Sequence, residues 1–414
     1  MERIIFWNGL QSIGSNIFSL DNGKDRLIMD FGMPNEMYED GGNLSVTEAL
    51  IEAGKLPAIP HLFNTEGFKS DLAGVSNRPY ENQAVFISHL HLDHNAGLKY
   101  LPENTAVYMS EETKALYDAL LSSDLEVEVK AELHAVGYNR PVKIGHYTVT
   151  FVPNDHDIVG TSSILIEVDG KKILHSGDVR KHGYHPGNIK DLTSHVKSVD
   201  LLMIEGTSFS FPDEDDQDYR SEKDLIDDFT QLLLDENRTI VINPYPRNVE
   251  RLVELNRLGH RIGRPIYWDK RFSDLLRHYT TEAVCTWKKL SDYNHQVVQT
   301  HFDDIDKINE LEAGVYVHMN GEPLGDYDPR YEVLMKTLEE VGFDFVDYSV
   351  SGHASRKDII DIVKDIDPDV TVPWHTFEPQ AQAAALNENG VRTFLPKAAK
   401  AYKLEEILSD EAAE

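Results

Sequence analysis

The sequence predicts an α/β protein in two parts, and three observations carry that expectation. Short apolar runs in the first 205 residues end repeatedly in histidine or aspartate, as strands do when they offer side chains to a site. From residue 206 to 344 the pattern changes to alternating helix and strand, which is how a parallel-sheet unit inserted as its own domain reads. After residue 345 the chain returns to short apolar runs and histidines. A chain of 414 residues suggests two domains, with ample core for both.

Strands are expected over 3–7, 16–20 and 26–30, with Gly9, Gly14 and Asn22-Gly23 as turns. Asp30 closes the third run. Residues 33–82 carry no strand pattern; within that long loop a short helix is expected over 45–53, with Ser45 as cap and Glu48 three positions on. Val85 to Ile87 then delivers the chain to His89-Leu90-His91-Leu92-Asp93-His94. Imidazole and carboxylate are the ligands zinc takes when no thiolate is available. His89 and His91, two apart on an extended loop, can point to one side, while Asp93 and His94 serve a second ion.

A strand at 106–109 and a helix opened by Ser110 follow. Strand 147–152 runs into His156. The hairpin of 162–168 and 172–175, turning at Asp169-Gly170, runs into Asp178. Both residues lie just past strand ends, downstream of the histidine cluster, and are read as further ligands. Strand 199–204 ends in Glu205-Gly206-Thr207. The inserted part is expected as helix 221–236 capped by Ser221, strand 239–243, helix 247–259, strand 265–268, helix 271–279, strand 314–319 and helix 329–341. Ser351-Gly352-His353-Ala354-Ser355 then precedes a helix at 356–366, with Ser355 as cap, and strand 370–373 leads to Trp374-His375. Residues 404–414 read as a frayed acidic tail.

Composition narrows the function classes. The single cysteine, Cys285, excludes an intramolecular disulfide and a thiolate-rich metal site. No apolar run approaches the roughly 20 residues of a membrane span, and the N-terminus does not read as a signal peptide, so a cytoplasmic protein is expected. The formal net charge of −31 is awkward for a nucleic-acid partner, because phosphate binding usually draws on a basic surface. Metal ligands account for several of the acids, and net charge does not describe a local patch. Weak non-specific affinity and marked salt sensitivity are expected. Arg180, Lys181, Arg247 and Arg251 are candidates for tracking a nucleic-acid backbone, and Tyr245 for stacking a base.

Taken in order, His89 to His94, Glu205-Gly206-Thr207, Asn320-Gly321-Glu322-Pro323, Ser351-Gly352-His353-Ala354-Ser355 and Pro373-Trp374-His375 resemble the motifs of β-CASP metallo-β-lactamase nucleases of the bacterial ribonuclease J kind. Asn248-Val249-Glu250-Arg251 resembles a stretch of that family's inserted domain. The resemblance implies an αββα metallo-β-lactamase sandwich formed by 1–205 and 345–414, with an inserted β-CASP α/β domain over 206–344. It implies one zinc on His89, His91 and His156, a second on Asp93, His94 and His375, and Asp178 bridging them; manganese is the alternative metal. Glu205, His353 and His375 would be the β-CASP motif residues, and Asp30 a buttress of the metal loop.

The activity so implied is hydrolysis of RNA phosphodiester bonds, exonucleolytic from the 5′ end, endonucleolytic, or both, on a single-stranded substrate. Two metals about 3.5–4 Å apart would activate water and clamp the phosphate. Asp93, Asp178, Glu205 and His353 form the expected catalytic set, with His353 as general acid held by Glu205. Ser351, Gly352, His353 and Ser355, at a helix start, with Arg247 and Arg251, are the expected substrate contacts. A DNA-directed nuclease of the same family and a hydrolase of small esters are the alternatives; the second lacks an inserted βα domain.

Three departures qualify the resemblance. Leu92 stands where ribonuclease J typically has glutamate and is closer to the eukaryotic pre-mRNA 3′-end endonuclease. The segment from Val317 to Pro323 differs from the family's loop there. The sequence stops soon after His375, so the family's tetramer is not expected and a homodimer is the assembly left open.

Overall fold

Apolar side chains at alternate positions give strands that are buried on both faces, and the strands gather into three sheets in the computed structural model, which describes residues 1–34, 45–69, 80–211 and 219–409. The first sheet orders Ala401–Lys403, Arg3–Asn8, Ile17–Asp21, Asp25–Met29, Asn82–Phe86, Ala106–Ser110 and Glu132–Val136. The second orders Val370–Trp374, Leu201–Glu205, Lys171–His175, Ser162–Val168, Tyr147–Pro153 and Val142–Ile144. The third orders Cys285–Thr286, Ile266–Trp268, Val297–Gln299, Thr239–Pro244, Gly314–Met319 and Asp344–Asp347, and every pairing in it is parallel.

The first two sheets face each other across one core. Phe6, Phe18, Leu27, Met29 and Phe86 of the first meet Tyr147, Phe151, Ile164, Ile173, Met203, Val372 and Trp374 of the second. Their strand neighbours Ile28, Val85 and Ile87 point the other way, into a second core with Leu116 and Leu120 of helix Glu111–Ser122. On the far side of the second sheet, Leu174, Leu202 and Ile204 are covered by Ile189 and Leu192 of helix Pro186–His195 and by Ile359, Ile362 and Val363 of helix Arg356–Ile366. This is a helix–sheet–sheet–helix sandwich. Each fully buried large apolar side chain contributes roughly 1.5–3 kcal/mol to it.

The third sheet is flanked on both faces as a parallel sheet must be. Ile240 and Ile242 pack with Leu225, Phe229, Leu252 and Leu255 on one face, while Val241, Val298 and Tyr316 pack with Leu334, Leu338 and Ile308 on the other.

Several elements were not anticipated. Strands of two or three residues, such as Cys285–Thr286 and Val297–Gln299, are too short to show a period. The expected frayed tail is corrected in part. Ala401–Lys403 pairs antiparallel with Arg3–Asn8, and helix Leu404–Leu408 follows with Leu404 and Ile407 buried, because these apolar residues close the edge of the core. Residues 410–414 lie outside the described residues, as do 35–44 and 70–79 of the expected long loop. Helix Val46–Glu52 is present in that loop with Ser45 accepting from Glu48 N.

One buried ionic group ties the sandwich to the inserted sheet. Glu222, at the start of helix Glu222–Asp235, accepts from Arg180 Nη2 at 3.0 Å, from Arg251 Nε at 2.9 Å and Nη2 at 2.8 Å, and from Asn248 Nδ2 at 3.2 Å. Burial opposes ionisation of Glu222, but the two guanidiniums outweigh it and hold its pKa down at about 2, against an ordinary 4.5. Removing one partner of a buried ion pair typically costs about 3–5 kcal/mol, and Glu222→Ala is expected to lower the unfolding midpoint accordingly. The sign with pH follows from a depressed carboxylate. The contribution is complete above pH 4.5 and is lost as pH falls toward about 2. Unfolding curves of wild type and variant should differ most at neutral pH and converge below that window.

Candidate metal centre

The ligand candidates arrive from the ends of strands in both sheets of the sandwich. Asn82–Phe86 leads to His89, Tyr147–Pro153 to His156, Lys171–His175 to Asp178, and Val370–Trp374 to His375. The loop carrying His89 to His94 is pressed against the end of Asp25–Met29. Phe31 N donates to His94 O at 2.7 Å, and a Cβ on Gly32 would stand 1.5 Å from Asp93 O, so only glycine fits there.

Two groups of ligand atoms result. His89, His91, His156 and Asp178 each offer an atom within 4.8 Å of the others, and so do Asp93, His94, Asp178 and His375. Asp178 belongs to both. Its Oδ2 faces the Nε2 atoms of His94 at 3.3 Å, His89 at 3.6 Å, His156 at 3.7 Å and His375 at 3.8 Å. Among the described residues both oxygens of this buried carboxylate lack a hydrogen-bond partner, and so does His89 Nε2. Buried polar atoms are normally satisfied, so these unpartnered donor atoms, all aimed at one small volume, are what a cation site requires.

The electrostatics draw positive charge into this volume. Burial disfavours a charged His94, yet Asp178, Asp93 and Asp30 outweigh it and raise its pKa well above the ordinary imidazole value. Burial holds His89 well below that value and brings His156 down to about 3, so both rings are neutral, as ligands must be. The residues present fit two divalent cations.

The rings are oriented from behind, on the nitrogen turned away from the cluster. His89 Nδ1 donates to Ser88 Oγ at 2.9 Å, and Ser88 Oγ donates in turn to Asp30 Oδ2 at 3.0 Å. His94 Nδ1 donates to Asp30 Oδ2 at 2.8 Å. His156 Nδ1 donates to the carbonyl of Gly352, and His375 Nδ1 to Thr207 Oγ1 at 2.7 Å. Asp30 also takes His175 Nε2 at 2.8 Å and Ser88 N at 2.8 Å, so one buried carboxylate braces four groups. Sequence reasoning missed Ser88, Thr207 and His175. The first is adjacent to a ligand and the second sits in Glu205-Gly206-Thr207, which are the available signals.

Beside the two groups lies a third. His353 Nδ1 donates to Glu205 Oε1 at 3.2 Å, and its ring centroid is 5.4 Å from that of His375. Burial works against a charged His353; the Glu205 carboxylate and then Asp178 and Asp157 overcome it, bringing its pKa up to about 9. Part of that pull comes from Asp178, whose charge is shared with any cation it holds. At 21 % side-chain exposure His353 is the most open ring of the cluster.

The expected substrate contacts are corrected. Arg251 is fully buried in the Glu222 pair and donates Nη1 to Met319 O and Asn320 Oδ1 at 2.8 Å each. Arg247 is buried too. Its Nη1 donates at 2.8 Å to the carbonyl of Leu90, between His89 and His91, and its Nη2 to Glu126 at 2.9 Å. Arg180 shares Glu222 and donates to Ser351 O, and Lys181 pairs with Asp358 at 3.2 Å. A carboxylate is paired with each of these cations, and the three arginines are buried and so not offered to a phosphate backbone; Lys181 stays part-exposed.

Ser355 Oγ caps the helix by accepting from Asp358 N at 3.1 Å, and Ser351 Oγ is taken up by the backbone of His353. Gly352 contributes the carbonyl that orients His156. The ring of Tyr245 stands 5.4 Å from that of His91, at the cluster.

A model of the beta-lactamase superfamily domain matches residues 71–216. The RNase J-like protein of Methanocaldococcus jannaschii is 25% identical over 283 residues, 65% of this chain and 58% of that protein. Ribonuclease J of Mycoplasma pneumoniae is 20% identical over 438 aligned residues, 94% of this chain and 71% of that protein. A solved protein of unknown function from Enterococcus faecalis superposes with a TM-score of 0.83 at 27% identity, over 97% of this chain and 99% of the other. The chain carries a beta-lactamase superfamily domain over residues 71–216. Its fold is the metallo-β-lactamase sandwich with an inserted α/β domain. The Dictyostelium discoideum cleavage and polyadenylation specificity factor subunit 3 is 32% identical over 183 residues, 39% of this chain and 22% of that protein. The chain thus spans 58% of the archaeal relative and a smaller share of the eukaryotic one. Among the described residues no helix is long and apolar enough to cross a membrane.

The orienting contacts can be tested in this centre. Thr207→Val keeps shape but removes the acceptor of His375 Nδ1. It is expected to weaken binding of one of two Zn2+ ions about 10–100-fold, measured by competition with a chromogenic chelator.

Proposed function

We propose that the chain is a metal-dependent ribonuclease that hydrolyses RNA phosphodiester bonds at a two-cation centre. The observation that carries the reading is Asp178, an unpartnered buried carboxylate common to two groups of ligand atoms, with the Glu205–His353 pair alongside. Relatives named as ribonuclease J and as an RNase J-like protein support RNA as the substrate class. Zinc suits the imidazole-rich donor set, and manganese suits its carboxylates.

His89, His91, His156 and Asp178 would hold one cation and Asp93, His94, His375 and Asp178 the other. Bound there, the pair would supply an activated water and neutralise charge on the phosphate. The protein's own groups do the rest. Ser88, Asp30, Thr207 and Gly352 keep the ring nitrogens aimed inward and spare reorganisation at each turnover. Glu205 keeps the Nδ1 proton of His353 and stabilises the imidazolium. His353 Nε2 is then the proton donor for the departing ribose oxygen, worth about 10²–10⁴-fold. Arg247 holds the Leu90 carbonyl, so the inserted domain helps to fix the loop that presents His89 and His91.

Digestion of a 3′-labelled, 5′-monophosphorylated single-stranded RNA tests this. Progressive shortening of labelled species is the result expected of a 5′-to-3′ exonuclease, and discrete internal fragments of an endonuclease. His353→Ala should retain both cations and lose kcat about 10²–10⁴-fold; Asp178→Asn should lose cations and activity together. No cleavage by metal-replete wild type, or full metal content with near wild-type rate in Asp178→Asn, overturns the reading.

A further inference from the structure

The loop between strands Arg3–Asn8 and Ile17–Asp21 carries no candidate ligand, yet it clasps both segments that present the group of Asp93, His94, Asp178 and His375. At one end, His375 N donates to Gly9 O at 3.0 Å, and Thr376 forms bridges with Leu10 and Ser12. At the other end, Asn16 N donates to Asp93 O at 2.9 Å. Gly9 permits this close approach. Its φ is +86°, and a Cβ there would stand 2.5 Å from the Trp374 ring and 2.8 Å from Asn16 Oδ1.

Asn16 is fully buried, and its amide nitrogen is turned to the ligands. Nδ2 donates to Asp93 O and to Asp93 Oδ2, each at 3.3 Å, and stands 3.0 Å from His94 Nε2. Oδ1 has no hydrogen-bond partner among the described residues. Turning the amide over would set its oxygen against two oxygens of Asp93, so Asp93 alone fixes which end faces inward. The carboxylate needs such a donor. At 24 % side-chain exposure Asp93 is the most open ligand of its group, so packing does not hold it. Its Oδ2 also lies 2.8 Å from His375 Nε2 and 3.5 Å from His94 Nε2. A carboxylate oxygen has lone pairs for an amide hydrogen and a cation together.

We propose that Asn16 is the positioning residue for the cation held by Asp93, His94, His375 and Asp178. Its Nδ2 fixes the Asp93 carboxylate, and its loop holds the backbone of Asp93 and of His375 in one register. The inference rests on the two-cation reading above but is separable from it.

Titration of metal-free full-length protein with Co2+ against a chelator resolves two binding events, and Co2+ absorption bands report ligand geometry at each. The event that His375→Ala removes belongs to the Asp93 group. Asn16→Leu keeps the side-chain shape and removes only the bonds of Nδ2, since Oδ1 makes none. It is expected to weaken that event about 10–100-fold and shift its bands, leaving the other within a few-fold of wild type. Asn16→Ala, which removes the amide without adding an apolar branch, should show the same selective loss. Unchanged affinities and bands in both variants overturn the proposal while leaving the two-cation reading intact. Equal losses at both events overturn it as well, since they mean a general disturbance. Wild type that binds no Co2+ overturns both.

Discussion

Asp178 is a carboxylate that this fold buries with no hydrogen-bond partner among the described residues. An uncompensated buried charge costs several kcal/mol, and its surroundings are arranged to meet that cost with positive charge. Four imidazole Nε2 atoms stand around its Oδ2 at 3.3–3.8 Å. Burial opposes ionisation of Asp178, yet His375 and His94 pull its pKa well below the usual carboxylate range. Protons on those rings and divalent cations are rival solutions to one electrostatic problem. With each outward Nδ1 committed to an acceptor, the inward Nε2 atoms are the ones left to meet Asp178.

That tautomer control explains why the sandwich looks as it does around the site. Asp30, at the end of Asp25–Met29, reaches across to Ser88, His94 and His175, joining the two sheets at the place where their ligands emerge. The inserted sheet takes part without supplying a ligand. Arg247 grips the carbonyl between His89 and His91, and the Arg180–Glu222–Arg251 group locks the segment after Asp178 to two helices of the insert. Asn320 receives Arg251 on the same oxygen that accepts Val350 N, just ahead of Ser351-Gly352-His353. Ligand geometry and domain packing therefore depend on one another.

That these histidines and aspartates would gather at one place was legible because strand patterning and residue chemistry coincide: a run such as Val85 to Ile87 fixes where His89 emerges. Helices with strong caps, at Ser221 and Ser355, were legible for the same local reason. The arginines were not. Whether Arg247 meets a phosphate or a carboxylate depends on Glu126, 121 positions away, and no local pattern reports that pairing. With 71 acidic against 40 basic residues, an arginine in this chain is more apt to be claimed by a carboxylate than left for a substrate.

The most direct measurement of the central claim is anomalous diffraction from crystals of the protein loaded with Zn2+ or Mn2+. The account predicts two anomalous peaks about 3.5–4 Å apart, one among His89, His91 and His156 and one among Asp93, His94 and His375, with Asp178 touching both. A single peak remote from Asp178, or two that share no carboxylate, would contradict it.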